Sequence, residues 1–424
     1  MPSTGIALAL GCLLVATGCS DRADGRGPIT LVFKHAKILG PSDPVPGLLR
    51  EFEASHPGVK VVAEALTWSS DEQHQFYAVN LEGGNAGIDV LMLDVIWVPE
   101  FARAGWLLDL TPFVSPAELA PHFPAAAEVA VLDGRVWALP WFMNVGLLYY
   151  RKDLLDKHGL APASTYAELL RQVALIRSAE GDPHLDGFLW QGKQYEGMVV
   201  NALEGFWANG ARVLANDGAI FPEPERAEEV LAFMREVIAS GVSPAWVTAA
   251  DEELTRRAFQ DGRAIFLRNW PYAMDLFGQP DSPVRGKVGI ASLPRHAHGT
   301  RGAGSTGGAH LGVYRHTRHP EAAAALVRFL AGEAAQRAMA AGAALTPSRM
   351  DLYRDPDLVR DHPSFPAIYA LALAGRPRPV TPYYLMISTM LQPEFSAVLV
   401  GIKTPRAALL EARQHIEHLL RTVR

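Results

Sequence analysis

At 424 residues, with 49% hydrophobic and 20% charged side chains, the chain has a length that normally divides into more than one domain, because single cores stop growing near ~250–300 residues. A formal net charge of −6 argues against a nucleic-acid partner or an anionic membrane surface. Both cysteines, Cys12 and Cys19, lie within the first twenty positions, so the rest of the chain offers neither a disulfide framework nor a cysteine-based zinc site.

Ile6 to Val15 is a short apolar run followed by the small residues Ala16-Thr17-Gly18, which reads as a secretory signal over residues 1–18. The run is too short to cross a bilayer as a mature helix, which needs about 20 apolar residues. No later segment is apolar over such a length. Small residues directly before Cys19 resemble the lipobox of bacterial lipoproteins, in which that cysteine becomes the acylated first residue. Residues 19–28 would then form a polar, lipid-anchored tether, although Met1 to Gly5 lacks the Lys or Arg of a usual signal.

From Ile29 strands and helices alternate. Ile29 to Phe33 is a β-branched run. Val45 to Ala54 places Leu48, Leu49 and Phe52 on one helical face, and Val59 to Leu66 is extended again. Ser70-Asp71-Glu72-Gln73 reads as a capping box opening the next helix, and Ile88 to Leu93 as a buried strand ending at Asp94. This order implies an open, mostly parallel α/β sheet. Asp133-Gly134 predicts a tight hairpin, and Trp141 to Tyr150 is extended. Thr165-Tyr166-Ala167-Glu168 is a second capping box, opening a helix with Leu169, Val173 and Ile176 on its stripe. Beyond it come a strand at Gly187 to Trp190, helices at Lys193 to Ala208 and Pro224 to Ala239, and strands at Arg263 to Leu267 and Lys287 to Leu293. Helices follow at Pro320 to Ala341, Phe365 to Ala374, Tyr384 to Val400 and Pro405 to Arg424. Two α/β lobes with a helix-rich C-terminal third is the simplest account.

Catalytic signatures are weak. Gly302-Ala303-Gly304-Ser305-Thr306-Gly307 satisfies G-x-G-x-x-G, yet it follows a polar basic stretch instead of a strand, so it reads as a flexible glycine loop. For His316 with His319, and His415 with His418, no nearby Asp, Glu or Cys completes a ligand set, and both pairs read as solvated helix surface. No G-x-S-x-G or H-E-x-x-H occurs. A glycosidase-type carboxylate pair stays open, because separation in space is not legible.

The informative pattern is aromatic side chains beside polar ones at the ends of elements. Asp94-Val95-Ile96-Trp97 lies at the carboxyl end of a strand, where open α/β sheets bind ligands. Trp141-Phe142-Met143-Asn144 follows Pro140, Tyr195-Glu196 opens a helix, and Arg268-Asn269-Trp270-Pro271-Tyr272 follows a strand. Sugars need this mixture: hydroxyls that both donate and accept, and C–H faces that suit the negative face of an aromatic ring.

The stretches Trp137-Ala138-Leu139-Pro140 and Gly146-Leu147-Leu148-Tyr149-Tyr150-Arg151-Lys152-Asp153-Leu154 resemble the family 1 extracellular solute-binding proteins of ABC sugar importers. Trp190 to Gly197, Arg268 to Ala273 and Arg378 to Tyr384 resemble the trehalose/maltose-binding branch. The resemblance implies a two-lobe periplasmic-binding-protein fold, type II-like, with a cleft and three crossings near Pro140, Leu293-Pro294 and Ala341 to Thr346. The lobes would comprise residues 29–139 with 294–341, and 140–293 with 342–424. It implies ligand-binding roles for Asp94, Trp270, Tyr272, Gly308 and Arg378; the aromatic-polar pattern adds Trp97, Asn144, Tyr195 and Glu196 as ligand candidates, and Lys34 or His35 of the first-strand loop is the candidate further donor. Asn144 and Ala309 stand where that branch carries Asp and Trp. The expected protein is a monomeric, non-enzymatic receptor without cofactor or metal, anchored by lipid at Cys19 in the periplasm or on the outer face of the cytoplasmic membrane. It would capture a sugar and pass it to ABC permease subunits. A secreted carbohydrate-active enzyme and a surface sensor or adhesin are the alternatives.

Overall fold

The computed structural model describes residues 28–38, 42–67, 69–84, 87–215 and 217–423. The expected signal, the anchor at Cys19 and nearly all of the tether lie outside the described residues. The chain folds into two α/β lobes, each built on its own sheet. The strands are β1 (Ile29–Ala36), β2 (Val59–Leu66), β3 (Val90–Asp94), β4 (Val131–Leu132), β5 (Arg135–Val136), β6 (Leu139–Val145), β7 (Leu147–Arg151), β8 (Asp186–Leu189), β9 (Ala264–Asn269), β10 (Val288–Ala291) and β11 (Thr306–Val313).

The first sheet runs β2-β1-β3-β11-β6 and the second β10-β7-β9-β8. Pairing is mixed, not mostly parallel: β1 pairs parallel with β2 and β3, but β11 is antiparallel to both β3 and β6. In the second sheet β8 and β9 are parallel, while β7 is antiparallel to β9 and β10. Residues 90–93 of β3 and 264–267 of β9 are buried, which accounts for their continuous apolar composition, while Arg268 and Asn269 end β9 as buried polar residues.

Local rules explain most helices. Val45–Ser55 buries Val45, Leu48, Leu49 and Phe52, one face at helical spacing. The box at Thr165 is complete: the Glu168 N–H donates to Thr165 Oγ1 and the Thr165 N–H to the Glu168 carboxylate, each at 3.1 Å. That helix, Tyr166–Glu180, stops at Gly181 with φ 63°. Helix Ser70–Glu82 is capped by Ser69, one residue earlier than the sequence suggested. The single helix expected from Pro320 is two, Pro320–Ala331 and Glu333–Ala343, because Gly332 turns extended at ψ 166°. Asp133 and Gly134, at φ 51° and 73°, form the expected hairpin turn between β4 and β5.

Four differences bear on the site. Of the glycine loop expected over residues 302–307, residues 302–304 are loop as expected, but Thr306 and Gly307 already belong to β11, a strand inside the first sheet. Gly308, at φ 108°, has no room for a side chain, since a Cβ there would lie 2.3 Å from the Phe142 carbonyl oxygen. The extended run Trp141 to Tyr150 belongs to two sheets, so the chain passes between lobes at Gly146, not at Pro140. The return passage falls at Ser305, past the expected Leu293-Pro294: Arg295 and His296 still bond to Ser164 and Ala208 of the second lobe, while the Gly146 N–H donates to the Ser305 carbonyl. Residues 346–350 remain on the first lobe, where the Met143 N–H donates to the Thr346 carbonyl and the Phe123 N–H to the Ser348 carbonyl. The third passage therefore comes later in the chain than Thr346. Helices Tyr384–Leu399 and Pro405–Thr422 then pack on Glu196–Ala208 and Pro224–Ala239 of the second lobe.

Candidate functional site

The seam between the lobes gathers most of the polar-aromatic pattern. Asp94 ends β3, and its side chain is 24% exposed. One carboxylate oxygen accepts the Ile96 N–H at 3.2 Å and Arg378 Nη2 at 3.2 Å, and the other accepts the Ser70 hydroxyl at 3.3 Å. Arg378 comes from the segment before helix Tyr384–Leu399 and is 5% exposed. Its Nη1 donates to Glu196 at 2.9 Å, so one guanidinium joins a carboxylate of the first lobe to one of the second. Burial lowers the Arg378 pKa, but Asp94 and Glu196 outweigh it and raise it above its ordinary value.

Glu196 opens helix Glu196–Ala208 and is enclosed by donors: Arg378, the Tyr384 hydroxyl at 2.7 Å and the Ser388 hydroxyl. Burial pushes its carboxyl pKa up, against the pull of Arg378. Its Oε1 holds Arg378 and the Tyr384 hydroxyl and its Oε2 the Ser388 hydroxyl, so both oxygens are already engaged behind Arg378.

Trp270 follows β9 on the opposite wall. The Arg268 guanidinium lies 4.0 Å from its ring centroid, and its indole N–H donates to Glu252 at 3.3 Å. The far edge of the indole crosses the seam: a Cβ built on Gly307 would lie 3.4 Å from Trp270 Cη2 and Cζ3, and 3.7 Å from Asn144 Cβ. Asn144, opposite Gly307 in the sheet, accepts the Thr346 hydroxyl at 3.3 Å. The Tyr195 hydroxyl donates to Glu252 at 2.6 Å and the Tyr272 hydroxyl to Glu253 at 2.9 Å. Burial first, and then these carboxylates, push both phenol pKa values well above ordinary. A cavity beside Asp94 is lined by Val95, Ile96, Met143, Thr306, Gly307 and Arg378.

Asp94, Asn144, Tyr195, Trp270, Tyr272 and Arg378 are thus distributed along this seam, with Glu196 supporting them. Two expected ligand residues are elsewhere. Trp97 is 1% exposed, stacked at 11° on Phe101 and edge-on to Tyr77, because helix Val98–Arg103 turns that ring into the first lobe's interior. His35 is buried against Phe33 with Nδ1 at 2.8 Å from the Ala36 carbonyl, and burial lowers its pKa. The Gly308 carbonyl accepts the Val95 N–H at 3.3 Å, so Gly308 serves strand packing. Ala309 packs in the first lobe's core, directly opposite Asp94 in the sheet.

Glu252 and Glu253 escaped sequence reasoning. They occupy the first turn of helix Glu252–Gln260, whose cap is Asp251, and acidic residues there are already explained by the helix dipole. Their spacing ahead of Trp270 and Tyr272 was the available signal. Among the described residues no three His, Cys, Asp or Glu converge as a metal site, and no helix is long and apolar enough to cross a membrane.

Comparison with known proteins agrees with this architecture. Residues 41–337, more than half of the chain, match the family model of the bacterial extracellular solute-binding proteins. A probable ABC transporter-binding protein of Deinococcus radiodurans is 34% identical over 349 residues, covering 80% of this chain and 82% of that one. The maltose-bound T. maritima MalE3 structure superposes with a TM-score of 0.85 at 35% identity, over 92% of this chain and 100% of that one. The GacH receptor of Streptomyces glaucescens shares the fold at 21% identity, with a TM-score of 0.81 over 92% of this chain and 98% of its own. A family match of this extent, with two relatives above 30% identity, places the chain among the bacterial extracellular solute-binding proteins.

Proposed function

We propose that this chain captures a disaccharide of the maltose or trehalose kind between its lobes and delivers it unaltered to the membrane subunits of an ABC importer. The observation that carries the reading is the convergence on one seam of Asp94 and Asn144 from the first sheet, Trp270 from the end of β9 and Arg378 from the C-terminal segment. Arg268 covers one face of Trp270, leaving the other to stack on a pyranose C–H face. Asp94 accepts sugar hydroxyls, Arg378 and Asn144 donate, and Glu252 orients Trp270 and Tyr195. With the indole edge in van der Waals reach of Gly307, sugar entry requires the lobes to part about the passages at Gly146 and Ser305 and close again. The maltose in the T. maritima structure, at 35% identity, supports the sugar class.

Micromolar binding corresponds to about −8 kcal/mol, and one hydrogen bond to a charged group contributes about 1.5–3 kcal/mol, so a few such bonds with aromatic burial suffice after ordering costs. The receptor works as a monomer held at the membrane by acylated Cys19, with the lobes as bounded above except at the displaced passages. Titration calorimetry against maltose, trehalose and their monosaccharides, with chromatography of the sugar afterwards, tests the reading. Micromolar binding with intact recovery is expected. Absence of heat with every sugar, or release of glucose, overturns it.

A further inference from the structure

Helix Glu196–Ala208 buries Glu204 and β9 buries Arg268, with side chains 2% and 1% exposed. They join fork to fork: Arg268 Nε donates to Glu204 Oε2 at 2.8 Å and Nη2 to Oε1 at 2.6 Å. A buried ion pair seldom adds net stability over packed hydrocarbon, so its retention calls for another role.

Its neighbours on either side supply one. Glu204 Oε1 also accepts the Ser305 N–H at 2.8 Å, and the Ser305 carbonyl accepts the Gly146 N–H at 3.0 Å. These are the first two passages between lobes, and Arg376 bridges onto the same spot, its N–H donating to the Gly304 carbonyl at 3.0 Å. On the other side the Arg268 guanidinium backs the Trp270 ring at 4.0 Å. Gln191 pins it further, accepting from Nη1 at 3.3 Å while its own amide donates to the Arg268 carbonyl at 2.9 Å. A continuous chain of short contacts therefore runs from the passages, through one carboxylate and one guanidinium, to the back of the aromatic platform.

We propose that Glu204 and Arg268 are positioning residues that set the angle of the Trp270 platform relative to the lobe passages, so that stacking on Trp270 and lobe closure are coupled. They touch no ligand. Any displacement of Ser305 moves Glu204 Oε1, and the bidentate fork carries that displacement to the plane on which Trp270 rests. The inference rests on the reading of Trp270 as the stacking ring.

The test uses the purified protein with maltose as probe, reading Kd by calorimetry and compaction by the maltose-induced fall in radius of gyration in small-angle scattering. The double variant Glu204→Gln/Arg268→Met removes both charges at similar volume, while Arg268→Lys keeps the charge and loses the planar fork. A folded double variant is expected to bind maltose about tenfold more weakly or worse, with compaction reduced, and Arg268→Lys to fall between it and wild type. Should the double variant fail to fold, Arg268→Lys decides by the same two readouts. A lowered melting temperature with wild-type Kd and compaction would mean a purely structural pair and overturn the proposal. If wild type binds neither maltose nor trehalose, the sugar reading falls and this one with it. Wild-type binding matched by the variants removes only the positioning role.

Discussion

Gly146→Ala is the sharpest perturbation of this arrangement. A Cβ at that position would lie 2.0 Å from Glu204 Oε1, 2.9 Å from Glu204 Cδ and 2.9 Å from Arg268 Nη2. Backbone strain is not involved, because Gly146 does not have a positive φ. The methyl must displace a carboxylate oxygen that accepts two bonds, from Arg268 at 2.6 Å and from the Ser305 N–H at 2.8 Å. Breaking a buried pair costs about 3–5 kcal/mol, and losing two charge-assisted bonds at about 1.5–3 kcal/mol each gives the same range. At an m-value of about 3 kcal/mol/M the urea midpoint should fall by roughly 1–2 M. The control is Gly159→Ala: φ there is 64° and nothing lies within 4 Å of the new methyl, so only left-handed strain of about 1–2 kcal/mol applies. Urea unfolding followed by far-UV circular dichroism compares the two. A midpoint for Gly146→Ala equal to wild type, or one no lower than that of Gly159→Ala, would refute the argument that Glu204 fills the space beside Gly146.

Trp270→Ala should weaken maltose binding by at least about 2 kcal/mol, or roughly 30-fold in Kd by calorimetry, because it removes the platform while its backing Arg268–Glu204 pair persists. Glu252→Ala should weaken binding while leaving the fold intact, since Tyr195 and Trp270 lose their common acceptor, and Glu252→Gln should restore much of the loss; unchanged Kd in both variants would remove Glu252 from the site. Burial, the largest influence on each, holds His122 near about 3 and both His296 and His310 near about 4, below the ordinary 6.5. The unfolded chain therefore takes up these protons first, so the stability present above about pH 6.5 should be lost as pH falls toward about 4, on the order of 1 kcal/mol per pH unit per histidine. Urea midpoints at pH 7 and pH 5 check this, and equal midpoints would show that the three imidazoles are not buried neutral.

Local chemistry in the sequence made much of the fold legible. Thr165 with Glu168, Asp133-Gly134 and the stripe Leu48, Leu49, Phe52 each satisfy their backbone or bury their face within a few residues, so neighbours alone decide them. Thr306 and Gly307, read as the end of a glycine loop, misled for the same reason. Gly307 and Gly308 carry no strand propensity, and only the approach of Trp270 and of the Phe142 carbonyl makes glycine necessary in that strand. The run Trp141 to Tyr150 is uniformly strand-like, and nothing local says that Val145 and Leu147 enter different sheets; a glycine pressed against Glu204 does. Within the site, Asp94 and Trp270 stood out as polar and aromatic groups at element ends, but so did Trp97, and Arg378 was legible only through the family resemblance. An indole turned inward onto Phe101 and one turned toward Gly307 have the same composition around them. Glu252 and Glu253 were hidden behind a sufficient local explanation, as first-turn acids of a helix.

The electrostatics of the seam also say what kind of sugar it favours. Arg378 has one Nη on Asp94 and the other on Glu196, Arg268 is spent on Glu204, and Arg256 lies against Glu253 with Nε 2.9 Å from its carboxylate. Glu252 adds a carboxylate whose partners are a phenol and an indole. These guanidinium charges are matched before any ligand arrives, and the surplus is negative. A phosphorylated or carboxylated sugar would bring its charge to a site whose guanidinium counter-charges are already committed to carboxylates, and desolvating it there is unfavourable. A neutral sugar meets acceptors for its hydroxyls and pays no such penalty. Maltose affinity should therefore change less than about twofold between 50 and 500 mM salt, since no net charge is exchanged on binding. Trehalose 6-phosphate should bind more weakly than trehalose at every salt concentration. Tighter binding of the phosphate ester at low salt would mean that Arg378 leaves its carboxylates for the ligand, and that the pair across the seam opens to receive anions.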